Sequence, residues 1–190
     1  MRRILFTAAL LLAAAVPASA QEAGQAGLTI GFPGSIGILW HVSDAVAIRP
    51  DFSFAHNSSE SGSQFTSTSE AWIAGFGVSA HFYVGKIADH IRTYVTPRFG
   101  FTRTTTDSNT AGASYDSKSH TNNYQYAGSF GVQYTPTRRF GMYGEAGVQY
   151  TRAESTFTAD TALPIVFASG KSTNSTFSTR AGVGLVLYFK

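Results

Sequence analysis

Six charged residues of this chain stand where an alternating strand would turn them to one side: Arg49, Asp51, Arg92, Arg98, Glu145 and Arg180. Arg49 and Asp51 sit between Ile48 and Phe52. Arg98 precedes Phe99, and Arg180 precedes Ala181. By the same facing, His41, Gln133, Tyr143 and Gln149 join them. Charges in a low-dielectric interior must pair or meet water. Four arginines against two carboxylates leave an excess of +2. Two chemistries fit such a set. One is a structural salt-bridge network that fills an interior. The other is an anion-selective passage.

A nucleophile, a base and an acid can also be found, in Ser119, His120 and Glu145. A hydrolase needs the imidazole within hydrogen-bond reach of both partners, and spacing alone does not bring these three together. His120 is expected to be a solvated histidine at a loop base, and the chain is expected not to be an enzyme. His41, His56, His81 and His90 fall on different elements, without metal-ligand spacing. Gly75-Phe-Gly77 and Gly182-Val-Gly184 lack the following helix of a phosphate loop. No metal and no cofactor is expected.

These residues are positioned by a period of two. Apolar residues alternate with small or polar ones in eight runs separated by turn residues. Strands are expected near residues 28–32, 35–42, 45–55, 70–84, 91–105, 120–134, 140–155 and 173–190. One face carries Leu28, Ile30 and Phe32, then Ile36, Ile38, Trp40 and Val42. It continues with Val46, Ile48, Phe52 and Phe54, and with Trp72, Phe76, Val78 and Phe82. Later strands set Val95, Phe99 and Phe101 against Arg92, Tyr94 and Arg98, and Met142 and Val148 against Tyr143, Glu145 and Gln149. Connections alternate short (43–44, 85–90, 135–139) and long (57–69, 106–119, 156–172). Pro33-Gly34, in the first hairpin, is the short exception. Pro50 and Pro97 fall mid-strand, where a ladder donor is lost, so a bulge or register shift is expected at each.

Composition narrows the class. Charged residues make up 13% of the chain, against roughly 25% in soluble proteins. Aromatics reach 14%, and there are 19 glycines. Trp40, Phe82, Tyr134 and Phe140 fall near the short turns. Phe54, Trp72, Phe101 and Tyr124 fall toward the long connections. Amphipathic rings favour a membrane interface. Cysteine is absent, which removes disulfides, thiolate metal sites and cysteine nucleophiles together. The reading is all-β: an eight-stranded antiparallel up-and-down transmembrane β-barrel. Eight strands leave an interior that side chains can fill, so no large conductance is expected.

The first 20 residues read as a cleaved signal peptide. Arg2 and Arg3 form a basic n-region, residues 4–16 an apolar run, and Ala18-Ser19-Ala20 the cleavage site. The barrel domain is then 21–190. Without Arg2 and Arg3, 12 basic residues face 11 acidic ones, and no basic patch argues for nucleic acid.

Three segments carry a resemblance: Arg92-Thr-Tyr-Val-Thr-Pro-Arg-Phe-Gly-Phe101, Gly141-Met-Tyr-Gly-Glu-Ala-Gly-Val148 and Arg180-Ala-Gly-Val-Gly-Leu-Val-Leu-Tyr-Phe189. The chain resembles the small outer-membrane β-barrel family, the OmpX/OmpA-like or porin-family proteins. The resemblance implies the outer membrane of a Gram-negative-type bacterium, contact with its lipids, and a monomer. It also implies that Tyr188 and Phe189 belong to the signal read by the barrel assembly machinery. Family members usually end on the aromatic residue, whereas here Lys190 follows. A structural or surface-interaction (adhesin-like) role is expected. A lipid A hydrolase-like enzyme and a small anion-preferring pore are the alternatives. The long connections would carry any partner contact, with residues 162–167 an apolar patch in the last.

Overall fold

A computed structural model describes residues 23–62, 66–110, 115–161 and 169–189. The expected signal peptide, the apolar patch at 162–167 and Lys190 lie outside the described residues. Eight strands follow one another: β1 (Ala26–Phe32), β2 (Ser35–His41), β3 (Val46–Ser61), β4 (Ser67–Ala88), β5 (Ile91–Thr110), β6 (Tyr115–Thr137), β7 (Phe140–Thr161) and β8 (Ser169–Tyr188). Each pairs antiparallel with the next, and β8 returns to β1 to close the barrel.

The alternation decides which way each residue points. Ile30, Phe32, Ile36, Trp40, Phe52, Phe76, Phe130 and Leu185 stand exposed on the outer face, whereas Ala47, Arg49, Tyr83, Tyr94 and Val186 are buried within. In water such an outer surface would be costly. In hydrocarbon it is the favourable arrangement, and closure satisfies the backbone. The outer aromatics form two belts. On β4, β6 and β7 the belts lie ten residues apart, from Trp72 to Phe82, Tyr124 to Tyr134 and Phe140 to Tyr150. Ten residues span ~33 Å along a strand. At a tilt of about 40° this becomes ~25 Å, the height of an outer-membrane apolar band. Rings pair within the upper belt, the one near the long connections, with centroids 5.6 Å apart for Phe54 and Trp72 and 5.3 Å apart for Phe101 and Tyr124. The fold is a transmembrane β-barrel.

The short turns are set by local side-chain bonds. Ser43 Oγ accepts the amides of Ala45 and Val46 at 3.3 and 3.1 Å. Thr137 Oγ1 accepts that of Phe140 at 3.2 Å. Register shifts fall beside these turns, at Tyr83/Gly85, Lys86/Ala88 and Tyr134/Thr137.

Two expectations are corrected. Pro50 and Pro97 produce neither a bulge nor a shift. Pro50 keeps its place opposite Val78, and Pro97 keeps its place opposite Gly128. Each weakens the ladder on the other side: the β2–β3 register skips from Gly37↔Asp51 to Trp40↔Ile48, and the β4–β5 register from Ser79↔Arg98 to Phe82↔Val95. In an antiparallel pair a residue directs its N–H and C=O to one neighbour. The missing donor is therefore felt on that side alone.

The long connections also turn out largely to be strand. β3 runs to Ser61 and β4 starts at Ser67, β5 and β6 extend to Thr110 and from Tyr115, and β7 and β8 extend to Thr161 and from Ser169. Beyond the upper belt both faces are polar or small apart from Phe157, so the hydrophobic period vanishes while the pairing continues. Thr121 and Ser155 hydroxyls meet at 2.9 Å, and Ser108 Oγ donates to Ser69 Oγ at 3.2 Å.

The first hairpin stops early, turning at Pro33-Gly34 with Gly34 at φ +47°. β1 last pairs with β8 at Phe32↔Val183, and β2 last pairs with β3 at Ile36↔Phe52. Above that level β3–β8 continue as a curled six-stranded sheet. Among the described residues no strand pairs with its two edges, which are the outer parts of β3 and β8.

Candidate functional site

The interior divides in two. At the short-turn end it is packed solid. Leu39, His41, Ala47, Tyr83, Tyr94, Arg92, Gln133 and Val186 are each no more than 2% exposed, and Tyr188 is 5% exposed. Tyr83 donates to Gln133 Oε1 at 2.6 Å, and Gln133 Nε2 donates to the Tyr188 hydroxyl. The His41 ring stacks on Tyr83 with centroids 5.6 Å apart, and His81 lies 4.5 Å from the Tyr94 ring. Small residues on facing strands make room: a Cβ on Gly131 would strike the Tyr94 ring. Burying three tyrosines with their hydroxyls bonded fills the bore, although the Nδ1 atoms of His41 and His81 are buried there without a hydrogen-bond partner among the described residues.

Above this plug the charged residues converge. Arg49 on β3 reaches across the barrel to Glu145 on β7, with Nη2 2.9 Å from Oε1. Tyr94 donates to the same oxygen at 3.0 Å. The Arg49 guanidinium also lies over the Tyr143 ring, 4.7 Å from its centroid. Arg98 forms a two-pronged pair with Asp51, using both Nη atoms. These two residues sit on β5 and β3, with β4 between them. Gly77 is paired with Asp51 on one side and Gly100 on the other. A Cβ at Gly77 would meet the Arg98 guanidinium, so the glycine row is the channel through which the two charges touch. Arg180 on β8 stands 3.9 Å from Glu145 Oε2, within ion-pair range but beyond hydrogen-bond reach.

Five of the six charged residues singled out from sequence therefore meet, and Arg92 does not. It lies at the short-turn end, with its guanidinium 3.8 Å from the Tyr83 ring centroid and Nη2 donating to the Asp44 carbonyl. The reason is register: strand pairing sets Arg92 opposite Gln133, a level with the plug. His41, Gln133, Tyr143 and Gln149 all face inward. The convergence of His81, Tyr83, Tyr94 and Tyr188 was missed. Its signal was present in four ring-bearing residues at inward positions near short turns. Tyr188 belongs to the plug, and the neighbouring Phe189 points outward, its amide bound to the Ala26 carbonyl at 2.9 Å.

Over the ion pairs lies a cavity of about 400 Å³. It is lined by Arg49, Arg98, Arg180, Glu145, Ser53, Thr102, Gln125 and Gln149, and the Pro33-Gly34 turn forms part of its wall. It is a cup closed below by the tyrosines.

The hydrolase constellation is taken apart by the fold. His120 Nδ1 is 3.1 Å from Thr105 Oγ1. Glu145 pairs with Gly131, eleven positions down β6 from His120, a separation of ~36 Å along the strand. Among the described residues no three His, Asp or Glu side chains gather as a metal site. Outside the spanning segments, Lys86 bonds Asp89 at 2.9 Å, and that bond and its charge hold the Asp89 carboxyl below the usual carboxylate range.

No protein-family model matches the chain, and no curated protein matches its sequence. Among solved structures it is similar to CarO of Acinetobacter baumannii, at 11% identity and a TM-score of 0.43, over 88% of this chain and 98% of that one. It is similar to Ail, the attachment invasion locus protein of Yersinia pestis, at 10% identity and a TM-score of 0.42, over 88% and 99%. A third, the ferric yersiniabactin uptake receptor FyuA of Yersinia pestis, aligns at 11% identity and a TM-score of 0.44 over 78% of this chain and 24% of that one.

Proposed function

We propose that the chain is a monomeric, non-catalytic barrel of the OmpX/OmpA-like kind in the outer membrane of a Gram-negative-type bacterium, with a structural or surface-interaction role. In this reading the signal peptide is removed after Ala20. The strand ending in Tyr188-Phe189 addresses the chain to the barrel assembly machinery. The short turns face the periplasm, and the belt contacts outer-membrane lipid. The five converging charges act as a lumen network that ties β3, β5, β7 and β8 together.

The observation that carries this reading is the six-stranded sheet raised above the upper belt, with two unpaired edges. An edge presents a row of free N–H and C=O groups that an extended partner segment can extend as a further strand. Beyond the upper belt polar and small side chains, with Phe157 the exception, cover both its faces, so that part stands in water rather than in lipid. A passage across the membrane is disfavoured by the plug. A lipid hydrolase is disfavoured by the distance between His120 and Glu145.

Two measurements test the proposal. The protein should fractionate with outer membrane and shift on a gel when heated. Recovery as a soluble detergent-free monomer would refute the membrane reading. Cells bearing it should adhere to host or neighbouring-cell surfaces more than deletion cells do. Equal adherence would remove the surface-interaction role and leave the structural one.

A further inference from the structure

The cup above the plug carries an imbalance that the ion pairs do not resolve. Three guanidinium groups, from Arg49, Arg98 and Arg180, surround two carboxylates, from Asp51 and Glu145. Asp51 is held by the fork of Arg98. Glu145 already accepts Arg49 and Tyr94 on one oxygen. Arg180 is left with a partner at 3.9 Å. Its side chain is only 20% exposed, and that of Arg49 only 4%. Several of their donors are buried with no hydrogen-bond acceptor among the described residues: Nη1 of Arg49, Nε of Arg98 and Nε of Arg180. Guanidinium groups donate and never accept, and an unpaired buried charge is strongly unfavourable. Three guanidinium groups against two carboxylates leave the cup with an excess of +1, which suits an acceptor that carries negative charge.

The surroundings specify its size and kind. The cavity holds about 400 Å³, room for a handful of heavy atoms with some water. Its wall adds the hydroxyls of Ser53 and Thr102 and the amides of Gln125 and Gln149, which can bond further oxygens. It opens toward the projecting sheet, and the tyrosine plug prevents passage beyond. A guanidinium fork matches two oxygens of a carboxylate or phosphate.

We propose that this cup is a binding site for a small oxyanion, a carboxylate or a phosphate monoester-sized group, seated on the Arg180 guanidinium with Arg49 and Arg98 in the same wall. The site retains its ligand inside the barrel and does not conduct it. The proposal goes beyond the surface role and does not depend on it, since binding is read on purified protein whatever the outer sheet contacts.

The test uses the mature full chain refolded in detergent and titrated calorimetrically with inorganic phosphate and, separately, with acetate, in a chloride background. Heat of binding with phosphate alone identifies a phosphate site, and heat with acetate alone a carboxylate site. Either supports the proposal. Arg180→Gln should weaken binding about tenfold or more while the heat-modifiable band is kept. Lys118→Gln, on the outer surface, should leave binding unchanged. Should Arg180→Gln not fold, Arg180→Lys carries the comparison, because it keeps the charge and loses the fork; weaker binding supports the site. No heat from either anion up to ~10 mM, a range that detects even millimolar affinity, would overturn the proposal. So would equal affinity in whichever Arg180 variant folds, or an equal loss in Lys118→Gln.

Discussion

The two halves of the barrel bore are built on the same alternating backbone and end in opposite states. At the short-turn end, inward positions carry Tyr83, Tyr94, Tyr188, His41, His81 and Gln133, and the bore is shut. Toward the projecting sheet, inward positions carry Ser53, Gly75, Gly100, Thr102 and Gln125, and the bore is an open cup. Strand number sets a width that side chains can fill. Side-chain volume then decides whether they do. The boundary between the halves is Glu145, which takes Tyr94 from below and Arg49 from within the cup.

Among single substitutions that boundary gives the largest expected effect. Glu145→Leu leaves Arg49 buried without its partner and should cost about 3–5 kcal/mol, read as a lower urea midpoint of the refolded barrel by tryptophan fluorescence. A loss below ~1 kcal/mol, the scale of an exposed pair, would mean that water already screens the floor of the cup. The plug comes next. Tyr83→Ala with Tyr188→Ala removes two rings from the closed half and should cost several kcal/mol (~3–5 for one buried aromatic). It should also convert a silent protein into one that passes ions in a planar bilayer. Stable large channels from the unaltered protein would contradict the closed half altogether.

A finer probe is Tyr188→Phe, which keeps the ring and deletes the hydroxyl that Gln133 donates to. It should cost about 1 kcal/mol and leave conductance absent. On the projecting sheet, Thr121→Ala loses a hydroxyl contact with Ser155 and should shift stability by no more than ~0.5 kcal/mol. An equal cost at Tyr188 and Thr121 would erase the distinction between the halves. The smallest effect lies in the turn after β4. Lys86→Met should return the Asp89 carboxyl upward to its ordinary range, followed by NMR titration. A carboxyl held low in the folded state stabilises above its unfolded pKa and loses that contribution as pH falls. For this exposed pair the shift should be visible in the titration and not in the unfolding midpoint.

Much of this architecture was legible residue by residue. Facing is a local property: neighbouring side chains on a strand point to opposite sides, so Ile48, Phe76 and Phe130 could be set outward and Arg49, Glu145 and Arg180 inward without knowing any partner. The count of eight and the short turns followed from the same pattern. The projecting strands were hidden because, beyond the belt, no solvent difference separates their two faces. The prolines misled because a lost donor was judged without its second neighbour.

The amino-acid order alone thus determined which side of the wall each residue occupies and that the wall closes on itself. Tertiary structure decided which charges meet. Arg49 and Glu145 are far apart in sequence, and Arg98 reaches Asp51 only over Gly77. Such meetings depend on the accumulated offset between successive strands and on closure of β8 against β1. A one-residue slip of a whole strand would turn that strand's inward residues outward, so the height at which Arg92 leaves the network and Arg180 joins the cup exists only in the assembled ring.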